Sequence, residues 1–294
     1  MVSNWISLQP IAECLLRPEE DLLPATEMGF VWSPGDALLT FVTSQEFLDD
    51  ALSRENVTAV LVSENVDIRD LEHASRVRLV PTRNTKLNFY RLHNSLRSQV
   101  VHAPSIIDES AKIHETAIID ECGVTVGRNV TIEPFVTVEA GTTIGDNTII
   151  RTGCRLGTNA MDIKDDESGN PYMTDHLGGL IIGENVEIGY SSVVDRAIWR
   201  HTNTVVGDYT KTSCHVNISH GVHLGKRNKL AAGVKICGST FVGDDNWFGP
   251  GAIASNLLRI GSKNFIALGA SVLTDIDDEA KVVGTRVFRD RKLF

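Results

Sequence analysis

His223-Leu224-Gly225-Lys226-Arg227-Asn228-Lys229-Leu230-Ala231-Ala232-Gly233-Val234-Lys235-Ile236-Cys237-Gly238-Ser239-Thr240-Phe241-Val242-Gly243 reads in sixes. Leu224, Leu230, Ile236 and Val242 fall in one column. Followed in both directions, the column takes in Ile182, Ile188, Val194, Val206, Ile218, Phe248, Ala254, Ile260, Ile266 and Val272, and only Arg200 and Thr212 break it. Upstream, Val126, Ile132, Val138, Ile144, Ile150 and Leu156 repeat the step, and Ile107, Ile113 and Ile119 repeat it one residue out of phase. Glycine often follows the aliphatic residue, and the fifth place is small or β-branched, as at Thr204, Thr210, Val222, Val234 and Thr240. Neither a period of 2 nor one of 3.6 produces such a column. A short strand followed by a tight corner does, with the aliphatic residue pointing inward and glycine or a small polar residue supplying the turn. A hexad cannot bury its apolar side alone, so successive coils must stack.

The pattern [LIV]-G-x-x-[STAV]-x resembles the hexapeptide repeat of the left-handed parallel β-helix acyltransferases. The resemblance implies a mainly β chain whose coils are triangles of three hexads, so that residues roughly 18 apart stack on adjacent coils. It also implies left-handed crossovers, against the usual rule.

The column is interrupted between Leu156 and Ile182. There Asn159-Ala160-Met161-Asp162 opens a polar stretch with Gly169 and Pro171 that reads as a loop leaving the helix over 157–181. Residues 1–100 do not follow the hexads. Strand-like runs at Ala37–Val42 and Val57–Val62 and a helical pattern over Lys86–Leu96 predict a small α/β domain. A linker near Val101-His102-Ala103-Pro104 leads into the solenoid over 101–276, and 277–294 form a tail with basic residues among apolar ones.

Composition removes several function classes. A net charge of −10 argues against a general nucleic-acid binder. No run approaches the ~18 apolar residues of a membrane-spanning helix, and the N-terminus has no secretory pattern. Five scattered cysteines fit reduced thiols, so a cytoplasmic location is expected.

Four of the nine histidines, at 201, 215, 220 and 223, lie close together in sequence. Ile218 and Val222 take inward places, so His220 and His223 face outward, where a neutral imidazole can act as a general base. One coil beyond His220 lies Gly238. Its N–H beside a base is a candidate oxyanion donor, since a glycine lets a thioester carbonyl approach closely.

From Gly179 to Gly243 the order and spacing of Ile181–Gly189, Val194-Asp195-Arg196, Asn217-Ile218-Ser219-His220, Ala231-Ala232-Gly233 and Gly238-Ser239 resemble the UDP-3-O-acyl-glucosamine N-acyltransferases of lipid A synthesis. The resemblance runs over about residues 35–275. It implies that His220 is the catalytic base and that the Gly238 amide faces the thioester. It also implies a uracil-binding stretch at Phe41, Ser44 and Phe47, and further substrate contacts at Asn217, His223, Met161 and Asn256. The family has Asn and Tyr where Ser44 and Phe47 stand, and a second histidine where Leu257 stands. The implied partners are two further copies in a cyclic trimer, a nucleotide-linked amino sugar, and acyl carrier protein or coenzyme A as donor; apart from the resemblance, the local basicity of the tail offers Arg286 and Arg289 to such an anionic donor. No resident cofactor or metal is expected. The departures keep a coenzyme A-dependent N-acetyltransferase of another nucleotide amino sugar in view. Two other classes compete: a zinc enzyme like the solenoid carbonic anhydrases, using His215 and His220, and a non-catalytic solenoid.

Overall fold

The computed structural model describes residues 6–15, 22–69 and 76–284. Contacts divide the chain into two units. One holds the N-terminal hundred residues together with Met161–Leu177 and Ile198–Thr202. The other holds His102–Ala160, Gly178–Ala197 and the chain from Asn203 onward.

The second unit is a three-sided parallel β-helix. Its faces are parallel sheets of eight, nine and eight strands, most of them two residues long. Every aliphatic residue of the column from Val126 onward points inward and is at most 3% exposed. Each such side chain contributes about 1.5–3 kcal/mol on burial, and the contacts are with the coils above and below, so stacking is what realises them. A second column runs inside one corner: Asn246 N–H donates to Asn228 Oδ1 at 2.9 Å, and Asn264 N–H donates to Asn246 Oδ1 at 2.8 Å. All three asparagines are buried. A polar side chain is tolerated there because it satisfies the backbone of the next coil.

The glycines after the aliphatic column work differently from the expectation that they make the turns. The left-handed backbone falls two residues later, at Asn129, Asn147, Asn185, Ser191, Tyr209 and Arg227 among others. The earlier glycine is needed because coils approach closely: a Cβ at Gly189 would lie 2.3 Å from the carbonyl oxygen of Ser213. Gly157 is the exception, with φ +78°.

Register corrects the reading of the column at two points. Val126 pairs with Ile144, and Val206 with Leu224, at a separation of 18 residues. Ile144 pairs with Ile182 at 38, and Ile182 with Val206 at 24. The helix is therefore interrupted twice. The second excursion, Ile198–Thr202, adds one hexad's worth of chain and so leaves the phase intact; Arg200 is exposed there and is not a defective core position. Thr212 does not break the column either. It points inward, and its Oγ1 accepts from Gly189 N–H at 2.9 Å. The helix also runs past 276, since Phe265-Ile266 pairs with Lys281-Val282 in a last coil shortened to a 16-residue step.

The first unit carries a four-stranded parallel sheet in sequence order: Glu27–Met28, Leu38–Val42, Val57–Ser63 and Arg78–Thr82. Helix α1 (Gln45–Ser53) supplies the crossover from the second strand to the third, and α2 (Thr85–Ser95) follows the fourth. Side chains alternate between two cores. Leu39, Ala59, Leu61 and Val80 face one side with Phe89 and Leu92 of α2; Leu38, Val57, Val60 and Val62 face the other with Leu48 of α1. The loop placed at 157–181 contributes a hairpin to this unit, with Ile163–Asp165 antiparallel to Pro171–Met173. Helix α2 grips it. Arg91 Nη2 donates to Glu167 Oε2 at 2.7 Å, and Asn94 donates to Met173 O and accepts from Asp175 N–H, both at 2.9 Å.

Candidate active site

His220 stands at a corner of the solenoid, between the strand Asn217–Ile218 on one face and His223–Leu224 on the next. The corner forms because Gly221 adopts φ +66°, while Ile218 and Val222 anchor its two sides in the core. One coil on, Gly238 occupies the same place. A Cβ there would lie 2.4 Å from Cε1 and Nε2 of His220, so the imidazole rests against the glycine and nothing larger fits. Ser239 N–H donates to His220 O at 2.8 Å, locking the two corners together. The Gly238 N–H donates to no other group among the described residues. A donor without a partner beside an imidazole is the minimum needed to hold an oxyanion next to a base.

The remaining expected contacts divide between the units. Asn256 takes the same corner place one coil beyond Gly238 and is exposed. Leu257 beside it is exposed with φ +61°, and its N–H donates to Gly238 O at 3.0 Å. Asn217 pairs in register with Lys235 and is half-buried. His223 lies outside on the adjoining face. Its ring is 6.5 Å from that of Phe241 at 21°, and loss of water around it lowers its pKa. Met161 belongs to the other unit and is exposed. So do Phe41, Ser44 and Phe47. Phe41 packs against Phe89 at 4.9 Å and lies in an aromatic cluster with Tyr90. The Ser44 hydroxyl caps α1, accepting from Phe47 N–H at 3.5 Å. Phe47 is 48% exposed in the first turn of α1. Arg286 and Arg289 lie outside the described residues.

One residue escaped the reading of the sequence. Asp195 is 5% exposed and lies at the His220 corner on the coil before it, with Val194 paired to Ile218. Its Oδ1 accepts from Thr158 Oγ1 at 2.9 Å, and the polar side chains of Ser219 and Asn217 lie close enough to favour its charged form. Desolvation raises its pKa, and these donors pull it back down. A buried carboxylate thus lies beside Ser219, the residue before His220, on the preceding coil. The usable signal was 195 to 219, a separation of 24 that is legible only once the six-residue excursion is recognised.

His215 and His220, the pair that carried the zinc reading, sit at successive corners with the strand Asn217–Ile218 between them. Among the described residues no three His, Cys, Asp or Glu side chains are grouped so as to hold a metal ion. Nor is any described helix long and apolar enough to cross a membrane.

A UDP-3-O-acylglucosamine N-acyltransferase 2 of Legionella pneumophila is 39% identical over 94 residues, 32% of this chain and 26% of that protein. A UDP-3-O-acylglucosamine N-acyltransferase of Methylorubrum populi is 33% identical over 137 residues, 47% of this chain and 38% of that one. The chain thus spans between about a quarter and two fifths of the length of these curated relatives. The solved UDP-N-acetylglucosamine acyltransferase of Francisella novicida is 24% identical with a TM-score of 0.48, over 60% of this chain and 63% of that one. Residues 123–158 match the family model described as bacterial transferase hexapeptide (six repeats). The same hexads continue through Val272 in three parallel sheets, so the chain is a hexapeptide-repeat β-solenoid protein.

Proposed function

We propose that this chain is an N-acyltransferase that moves an acyl group from a phosphopantetheine thioester to the amine of a UDP-linked amino sugar, as its curated relatives' names describe for a UDP-3-O-acylglucosamine. The observation that carries the reading is the contact of His220 with Gly238 across adjacent coils. In this mechanism the sugar amine attacks the thioester carbonyl directly. His220 takes the proton from the attacking nitrogen, and the Gly238 N–H donates to the oxyanion as it forms. Collapse of the tetrahedral intermediate expels the pantetheine thiolate, which takes up a proton. Asp195, buried on the preceding coil beside Ser219, is the proposed positioning residue for the corner that carries His220. Cys237 beside Gly238 is not needed as a nucleophile.

The same reading assigns the uridine to the α/β unit, with the exposed ring of Phe47 as the stacking surface. It assigns assembly to a closed trimer, the symmetric solution for a solenoid with flat faces. Acyl carrier protein is the proposed donor, with Arg286 and Arg289 contributing charge. Mass spectrometry of products from a matrix of acyl carrier proteins, acyl-coenzyme A donors and nucleotide amino sugars tests it. Transfer of an acyl chain from carrier protein to a UDP amino sugar, lost in His220→Ala, is the expected result. Turnover with acetyl-coenzyme A alone would move the chain to the N-acetyltransferases. Equal activity in His220→Ala and His223→Ala would remove the assigned base.

A further inference from the structure

Away from the first coils, where Asn129 and Phe135 use the hydroxyls of Ser110 and Thr116, the corners of the solenoid follow one hydrogen-bonding rule. The residue with left-handed backbone donates its N–H to the carbonyl of the residue before the matching place on the preceding coil. His215 donates to Tyr190 O at 2.9 Å, Arg227 to Asp208 O at 2.9 Å, Gly233 to Cys214 O at 3.0 Å and Ser239 to His220 O at 2.8 Å.

Gly221 departs from this rule. Its backbone is left-handed like the others, yet its N–H donates to a side chain, Thr204 Oγ1, at 2.8 Å. The second excursion is the cause. Val194 pairs with Ile218, so Arg196 stands one coil before His220. From there the chain runs into Ile198–Thr202 instead of turning the corner, and it resumes the helix with Asn203–Val206. Thr204, fully buried on that returning strand, supplies the acceptor.

The Gly221 N–H and the His220 carbonyl belong to one peptide. Its oxygen accepts from Ser239 on the coil after, and its N–H donates to Thr204 on the coil before, so both polar ends are fixed. The fixing matters because residue 221 is glycine. Glycine populates many backbone conformations, whereas Ser239 and Leu257, in the same place on the next coils, are restricted by their side chains. Rotation of this peptide would carry the imidazole off Gly238. Thr204 is buried and out of reach of a substrate, so it acts only through the backbone it holds. Thr210, a buried threonine in the same place of the next hexad, serves a different corner, where its hydroxyl donates to Gly225 O at 3.1 Å.

We propose that Thr204 is a positioning residue for the base, its hydroxyl fixing the His220–Gly221 peptide and so holding the imidazole against Gly238. The effect on turnover rests on the acyl-transfer reading; the placement of the ring does not. The test measures acyl transfer by the full chain in Thr204→Val, Thr204→Ser and Thr210→Val, together with the ring NMR signals of His220 in histidine-labelled protein. Thr204→Val keeps the shape and removes the acceptor. Its kcat should fall ~10–100-fold with KM for both substrates within about 3-fold, since a displaced base costs rate and not binding. Thr204→Ser restores the acceptor and should bring kcat back to within about 3-fold of the wild type. Thr210→Val loses a buried hydroxyl of the same kind, so it should lower the melting temperature but leave kcat within about 3-fold. The His220 ring signals should shift or double in Thr204→Val and stay in place in the other two.

A kcat in Thr204→Val within about 3-fold of the wild type would overturn the proposal. So would an equal loss in Thr210→Val, which would make the effect a general one of stability, or no recovery in Thr204→Ser. If Thr204→Val does not fold, Thr204→Cys, whose thiol accepts only weakly, takes its place under the same expectations. If the wild type transfers no acyl group, the acyl-transfer reading falls and the ring signals decide alone: shifted in Thr204→Val they uphold the placement of the imidazole by Thr204, and unmoved they overturn it.

Discussion

The solenoid and the α/β unit solve the same problem by opposite means. In the solenoid, away from its two excursions and its ends, core residues meet others at sequence steps of 6 or 18, and the same contact recurs coil after coil. In the α/β unit each core contact is made once, between segments such as Leu39, Leu61, Val80 and Phe89 that share no period. Repetition makes a fold legible and also makes it tolerant, because a local fault is confined to neighbouring coils. Unrepeated packing hides the fold from a reader of sequence and ties many elements to a few side chains. The candidate base belongs to the first kind of region and the expected nucleotide contacts to the second.

The largest expected effect tests the proposed chemistry of the repeated region. His220→Ala should lower turnover by ~10²–10⁴-fold while leaving the melting temperature unchanged, because the ring lies outside the core column. A parallel fall in stability would mean that the residue is structural.

Next comes the close approach of coils. Gly189→Ala should destabilise by about 2–4 kcal/mol, since its Cβ meets the backbone of Ser213 at 2.3 Å. Gly251→Ala, at φ +68° with open space around it, should cost only about 1 kcal/mol from backbone strain. Denaturant titration separates the two, and equal values would mean that the coils spread more readily than their register implies.

The unrepeated region should show itself in acid. His93 is 1% exposed, and burial drops its pKa to about 4. The unfolded chain, with an imidazole near 6.5, therefore binds the extra proton first. Stability is full above about pH 6.5 and falls progressively as the pH drops towards 4, by about 3 kcal/mol in all. Urea titrations of the wild type and His93→Gln between pH 7 and pH 4 should show a clearly steeper slope in the former, since the other buried imidazoles keep their own contribution in both.

The smallest effect concerns Ser44. As a helix cap its replacement by Ala should cost about 1 kcal/mol, and Ser44→Asp, which also caps, should restore the stability. If UDP affinity falls in Ser44→Ala and is not recovered with the stability, the hydroxyl contacts the nucleotide as well.

Much of the candidate site was legible because the helix turns distance into arithmetic. The 18-residue step from His220 brought Gly238 to the imidazole with no further information. Asp195 was missed because the excursion at Ile198–Thr202 lengthens the step by six residues, to 24, and so preserves the phase of the column. Ser44 was read for its place in a resemblance, whereas its hydroxyl is engaged by the first turn of α1.

The sequence by itself determined the repeated parts: which residues point inward, that the coils stack, and which corner carries the imidazole. A strand two residues long is marked by its own aliphatic residue, because that residue recurs at every hexad. Only the tertiary structure decided where the chain leaves the helix, that the Ile163–Met173 hairpin packs with α2, and that Glu27, His93, Arg200 and His201 line one cavity. Those residues come from segments far apart in the chain with no common spacing. What joins them is a set of single contacts, each too weak to mark its partners in sequence and effective only when all are formed together.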